Sequence, residues 1–202
     1  MAQIHGERMN TIKTKFLIVS PPRTGTKSIL KMFDTLGYKI KHAPSNGFYG
    51  GFLHRVDVMG DTPCFRPSVI ESLLRESPDM KFVYIQKSPD AWVQSVIKVN
   101  LSINYNRMYD KFLKNPTSLV DHEKVDFESL YEILNGPFYK DIAVNGFIKH
   151  KEMVKDIIPA DRLLEYDFSQ GWGPLCEFTG KDIPDAAMPH LNINTMFDKI
   201  ID

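Results

Sequence analysis

The stretch FLIVSPPRTGTKSIL, Phe16 to Leu30, constrains this chain more than any other. Phe16–Ser20 reads as a short buried strand, and Leu30, Met32, Phe33 and Leu36 give the following segment, about Thr26 to Leu36, the apolar side of a helix. Where the two meet, Ser20 to Ser28 holds two prolines, a glycine, two cations and four hydroxyl residues. Amide groups at the start of a helix have no acceptor within it and point at whatever lies before the first turn. Gly25 permits a close approach and a positive φ there. Thr24, Thr26 and Ser28 add hydroxyls, and Arg23 and Lys27 add charge. The combination predicts a bound anion. A capped helix after a strand, with both cations merely solvated, is the plainer reading.

The turn is not a Walker A loop. Aligned on Lys27-Ser28, Pro21 and Thr26 stand where GxxxxGK[ST] requires glycine.

Further along, Gly37 reads as a helix stop and Tyr38–Lys41 as a second strand. Residues 43–60, rich in Gly, Asn, His and Tyr, read as loop, and Asp61–Phe65 as a short strand. Pro67–Glu76 is a helix opened by proline, and Lys81–Gln86 a strand. Ser88-Pro89-Asp90 starts a helix running to about Val99. Residues 101–137 are expected to form helical pieces, followed by a long helix at Tyr139–Ile158 stopped by Pro159. Arg162–Tyr166 reads as a strand, Trp172–Phe178 as a helix ending near Gly180, and 181–202 as an irregular tail. The length predicts one domain over residues 1–202, and strands alternating with helices predict a three-layer α/β fold with a central, mostly parallel sheet flanked by helices. In such sheets ligands sit at the carboxyl ends of strands.

Charge and cysteine usage narrow the function. Lys+Arg and Asp+Glu are 25 each, so the net charge is zero and the basic excess of a general nucleic-acid or membrane-surface binder is missing. The two cysteines, Cys64 and Cys176, form no CxxC pair, which argues against a zinc site and for a reduced compartment. Residues 1–15 read as a flexible N-terminus without a signal-peptide apolar core, and no run is long enough to span a bilayer, so a cytoplasmic location is expected. The sequence says nothing of oligomeric state.

Taken with a second stretch, KSPDAWVQS, the first acquires a family. PPRTGTKS resembles the 5′-phosphosulfate loop of the sulfotransferases, and Lys87 followed by Ser95 eight positions later resembles their 3′-phosphate motif. One branch of that family also carries LGY, a D-x-P, and a late RLL…GW.PLC.FLG; this chain has TLGYKIKH, DTP and DRLLEYDFSQGWGPLCEFTG in the same order. It departs in having Lys87 where the motif has Arg, Ser88-Pro89 where it has Asp-Pro, and no Gly-rich loop at the C-terminus. Lysine keeps the charge and loses the planar fork that grips phosphate at two points.

The resemblance implies transfer of a sulfuryl group from 3′-phosphoadenosine-5′-phosphosulfate (PAPS) to a hydroxyl or amine of a small-molecule acceptor, without a metal. It implies that Thr24, Gly25, Thr26, Lys27 and Ser28 hold the 5′-phosphate, that Arg23 holds the donor beside the bridging oxygen as a catalytic cation, and that Lys87 and Ser95 bind the 3′-phosphate. Asp61 of DTP matches the Asp that takes the acceptor proton in the related branch, with His42 and His54 as chemical rivals. Phe48, Tyr49, Phe52, Tyr105 and Tyr109 are candidate walls for the acceptor. His150 and the group Trp172, Leu175, Cys176 and Phe178 read as packing. Two other functions stay open: a P-loop nucleotide or small-molecule kinase, and a non-catalytic nucleotide-binding protein of the same fold.

Overall fold

The computed structural model describes residues 12–42, 49–98 and 136–189. Of these, the residues up to Gln86 and from Met153 onward make one compact unit, and those from Lys87 to Glu152 make a second.

The first unit is built on five parallel strands: β1 (Phe16–Ile18), β2 (Ile40–His42), β3 (Val58–Gly60), β4 (Lys81–Ile85) and β5 (Leu163–Tyr166), in the order β2-β3-β1-β4-β5. All four neighbouring pairs run parallel. Side chains alternate along the strands and fill both faces. Phe16, Ile18, Val58, Val83 and Ile85 face one layer, where they pack with α1 (Thr26–Thr35) and with Leu175 and Cys176 of a short late helix, Gly173–Thr179. Leu17, Met59, Phe82 and Tyr84 face the other. There they meet α2 (Tyr49–Leu53), α3 (Pro67–Glu76) and Val154, near the end of the long helix Pro137–Ile157. This is the expected three-layer arrangement, with every strand among the described residues parallel.

In the second unit a helix at 89–98 follows Lys87. Its start is capped by the Ser88 hydroxyl, which accepts from the Ala91 amide at 3.2 Å. Numbered in chain order, it is α4, Pro137–Ile157 is α5 and Gly173–Thr179 is α6. Val93 and Ile97 of α4 pack with Tyr139 and Val144 of α5, and Trp92 stacks on Phe147 with ring centroids 4.7 Å apart.

Two expectations for the segment before α3 are corrected. Asp61–Phe65 is a turn, and the strand lies just before it, at Val58–Gly60. Those three residues are fully enclosed between β1 and β2, so they carry no alternation of polar and apolar side chains. Residues 43–60 are not all loop either. They contain β3 and α2, whose YGGFL sequence hides a helix behind two glycines. Residues 101–135 lie outside the described residues, as do Phe48, Tyr105, Tyr109 and the side chain of Tyr49. Phe52 is described: it is partly buried against the core, with Lys41 Nζ 4.5 Å above its ring.

Candidate active site

The loop after β1 is anchored before it turns. The Ser20 hydroxyl is wholly buried and accepts from the Ile85 amide, which ties the end of β1 to the end of β4. Thr24, also buried, folds back to donate its hydroxyl to the Pro21 carbonyl at 2.9 Å. With its side chain spent on the loop itself, Thr24 serves the turn. Arg23 lies in the left-handed region at φ 73°, an uncommon conformation for a long side chain and one found at functional turns.

Gly25 is the N-cap of α1, with φ 111°. No side chain caps this helix, and no acidic residue lies in its first turn. The positive end of α1 is therefore open to an anion. The Thr26 hydroxyl is buried and has no hydrogen-bond partner among the described residues, a costly state for a polar group unless a ligand completes it. Lys27 is exposed and Ser28 buried. Phe168, from the turn after β5, lies against the loop: a Cβ on Gly25 would come within 2.7 Å of its Cε2 atom. Neither that neighbour nor the anchoring role of Ser20 is visible in the local sequence pattern.

Asp61 sits one residue past β3. Its backbone is left-handed, φ 73°, which Asp tolerates better than most residues. One carboxylate oxygen, Oδ1, accepts from the Thr62 amide at 2.7 Å and from the Thr62 hydroxyl at 3.3 Å. The other, Oδ2, lies 3.1 Å from His42 Nε2. The register of β2 on β3 explains this pairing: His42 lies opposite Gly60, so the two side chains meet at the same strand ends. His42 and Asp61, rivals in the sequence, are partners in the fold. His54 lies in the turn after α2.

Burial would raise the Asp61 carboxyl, but the hydrogen bonds from His42 and Thr62, together with the nearby imidazole, outweigh it and hold the group below its ordinary value. A carboxyl lowered by folding stabilises the native state above its unfolded value and loses that contribution as the pH falls through the folded value. Replacing Asp61 by Asn should therefore lower the melting temperature most near neutral pH. The gap to wild type should close on acidification below about pH 4. A gap that stays constant in a melting series would show that the ionised carboxylate contributes nothing to stability. Next to it, the Cys64 thiol is pushed up to about 12 by burial and by Asp61, which rules it out as a thiolate nucleophile. Cys176 is likewise buried, in the core beside α1, and its thiol is raised by burial.

Gly60 links the two parts of the site. A Cβ there would come within 2.7 Å of Thr26 Cγ2 and 2.9 Å of Ile18 Cβ. The end of β3 can lie this close to β1 and the first turn of α1 only because the residue has no side chain. The anion loop and the Asp61–His42 pair are thus held together within the first unit.

Lys87 and Ser95 belong to the second unit. Lys87 follows Gln86 directly past the carboxyl end of β4 and is half-buried; Ser95 is half-buried on α4. Among the described residues no cluster of three or more His, Cys, Asp or Glu could hold a metal ion, and no helix is long and apolar enough to cross a membrane.

Comparison with known proteins gives the architecture a family. A sulfotransferase of Alicyclobacillus acidocaldarius has a similar crystal structure, with a TM-score of 0.52 and 15% identity, over 88% of this chain and 86% of that one. In sequence, the chain is 26% identical over 216 residues to Ava biosynthesis cluster protein M of Aspergillus versicolor, covering 88% of this chain and 80% of that protein. The family model described as Sulfotransferase domain matches residues 46–197, a span that includes Asp61, Lys87 and Ser95 and begins after the anion loop. The chain belongs to the sulfotransferase family.

Proposed function

We propose that the protein transfers a sulfuryl group from PAPS to a hydroxyl or amine of a small molecule. The observation that carries this reading is the uncapped start of α1 at a left-handed glycine, together with the buried Thr26 hydroxyl that has no partner among the described residues. That arrangement suits the 5′-phosphosulfate group. Family membership supports the choice of a sulfated donor over a triphosphate, and Pro21 and Thr26 in place of the Walker glycines argue the same way.

In this reading Gly25, Thr26, Lys27 and Ser28 hold the 5′-phosphate, and Thr24 shapes their turn. Arg23 neutralises charge on the bridging oxygen as the sulfur–oxygen bond breaks. The transition state resembles SO3 held in line between two oxygens, so positioning and charge neutralisation supply most of the rate. The acceptor proton goes to the Asp61–His42 pair at the neighbouring strand ends. No metal is needed, because the departing phosphate is already a good leaving group.

A thermal-shift comparison tests the donor. Adenosine 3′,5′-bisphosphate without magnesium should stabilise the protein, and ATP with magnesium should not. The reverse pattern would favour a kinase. Stabilisation without any turnover of PAPS in a broad acceptor pool would favour a non-catalytic nucleotide-binding protein.

Lys87 and Ser95 are proposed to read the 3′-phosphate. Lys87→Ala should then weaken adenosine 3′,5′-bisphosphate about ten- to hundredfold, the effect of losing one charged hydrogen bond, while 5′-AMP binding changes little. Equal losses for both nucleotides in calorimetric titrations would make Lys87 a structural cation.

A further inference from the structure

We propose that Phe168 is a positioning residue for the donor: its ring braces Gly25 and holds the amides at the start of α1 in place before any nucleotide arrives. This rests on the sulfotransfer reading above and assigns the shape of the anion loop to the turn after β5.

Glycine has the widest conformational range of any residue, so an N-cap glycine is a loose joint unless something fixes it. No side chain caps α1. Ser20 and Thr24 fasten the part of the loop that precedes Gly25. Phe168 meets Gly25 itself. Its Cε2 lies 2.7 Å, and its Cζ 3.1 Å, from where a Cβ would stand, so the ring edge fills the space of the missing side chain. Packed atoms resist compression, and the ring therefore blocks movement of Gly25 in that direction.

The turn that carries the ring is itself closed. Tyr166, the last residue of β5, is wholly buried, and its hydroxyl donates to the Gly171 carbonyl at 2.8 Å, which draws the two ends of the turn together. Between them the Asp167 carboxylate accepts from the Ser169 amide at 2.8 Å, and Gln170 Oε1 accepts from the Asp167 amide at 3.1 Å, a reciprocal cap. The Phe168 ring stands edge-on to that of Tyr166, with centroids 5.3 Å apart. The Tyr166 hydroxyl also lies 3.5 Å from Met32 Sδ. The end of β5 and its turn thus touch α1 at two levels, Met32 and Gly25. A loop shaped in advance binds more tightly than one ordered by its ligand, because its ordering entropy is lost on folding and not on binding.

Leucine and methionine separate reach from bulk at position 168. Both are apolar and near in volume, but only the unbranched methionine extends as far as the ring edge. Phe168→Leu, Phe168→Met and Phe168→Ala would be compared with wild type as full chains. Phe178→Ala is the control: Phe178 packs on the same side of the sheet, against Phe16 at the start of β1, away from the loop. Two quantities are read: affinity for adenosine 3′,5′-bisphosphate by calorimetry, and hydrogen exchange of the amides of residues 20–30 without nucleotide. Phe168→Leu and Phe168→Ala should bind about tenfold more weakly, the equivalent of one weakened hydrogen bond to a charged group, and should exchange faster in that segment. Phe168→Met should recover most of both losses. Phe178→Ala should lower the melting temperature and leave both readouts as in wild type. A leucine variant that binds and exchanges like wild type would overturn the inference. Equal losses in the leucine, methionine and Phe178→Ala variants would also overturn it, since the effect would then be one of general stability. Should Phe168→Ala not fold, the leucine–methionine pair decides. Wild type that does not bind the nucleotide would remove the donor reading, and with it the role of Phe168 in donor binding, while the exchange data would still show whether the ring holds the loop.

Discussion

Gly25→Val should lose measurable affinity for adenosine 3′,5′-bisphosphate while the protein remains folded. The valine meets two obstacles. At φ 111° an L-residue is strained, at a cost of roughly 1–3 kcal/mol. Its Cβ would also overlap the Phe168 ring, 2.7 Å away. The strain is small beside the roughly 5–15 kcal/mol of a typical domain, so the fold survives. It is relieved most cheaply by shifting the loop, and a shift of about 1 Å is enough to misalign the amides at the start of α1. Far-ultraviolet circular dichroism and a melting curve would establish folding, and a calorimetric titration would read affinity. Affinity close to that of wild type would remove the loop from the donor site. Gly25→Ala combined with Phe168→Ala should recover part of the binding, since it removes the overlap and leaves only the backbone strain.

The second large effect is expected at Asp61. Asp61→Asn should lower kcat by about 10²–10⁴ and leave nucleotide affinity nearly unchanged. Asparagine tolerates the left-handed backbone as aspartate does, and its oxygen can still accept from Thr62. What it cannot do is accept from His42 with the other atom. Its NH2 group would face Nε2 and turn the imidazole to the other tautomer, with the hydrogen on Nδ1. Proton transfer is then lost whichever member of the pair performs it, whereas a merely structural Asp61 would be replaced almost without loss. The measurement is kcat with any acceptor found in the pool, beside the nucleotide titration. A variant turning over at the wild-type rate would remove Asp61 from the mechanism.

What could be read from the sequence was local, and what escaped it depended on register. The strand–turn–helix at Phe16–Thr35 was legible because its parts are contiguous and each has its own signature: the apolar run from Phe16, the turn at Pro21–Gly25, and the spacing of Leu30, Met32 and Phe33. The helix starts at Pro67 and Ser88 were legible for the same reason. β3 was missed because three enclosed residues carry no periodicity, and its loss displaced the expected strand onto Asp61. That one error concealed the His42–Asp61 pair. Once β3 is placed at Val58–Gly60, parallel pairing with β2 sets His42 opposite Gly60 and beside Asp61. The contact of Phe168 with Gly25 joins residues far apart in the chain and left no trace in either local pattern.

The packing of Thr26 on Gly60 has a consequence for the range of acceptors. In the proposed reaction, the Thr26 methyl resting on Gly60 would set the spacing between the sulfur to be transferred and the group that receives the proton. Such a contact has no soft coordinate, because close-packed atoms resist compression and a gap forfeits their attraction. On that proposal the span between donor and base would be a fixed gauge. A bulkier acceptor cannot be admitted by letting the two move apart; it must present its hydroxyl or amine on a projection narrow enough to enter that gauge. Breadth of substrate choice then lies in how the rest of the acceptor is walled, and engineering for new acceptors belongs in those walls, with Gly60 and Thr26 left as they are.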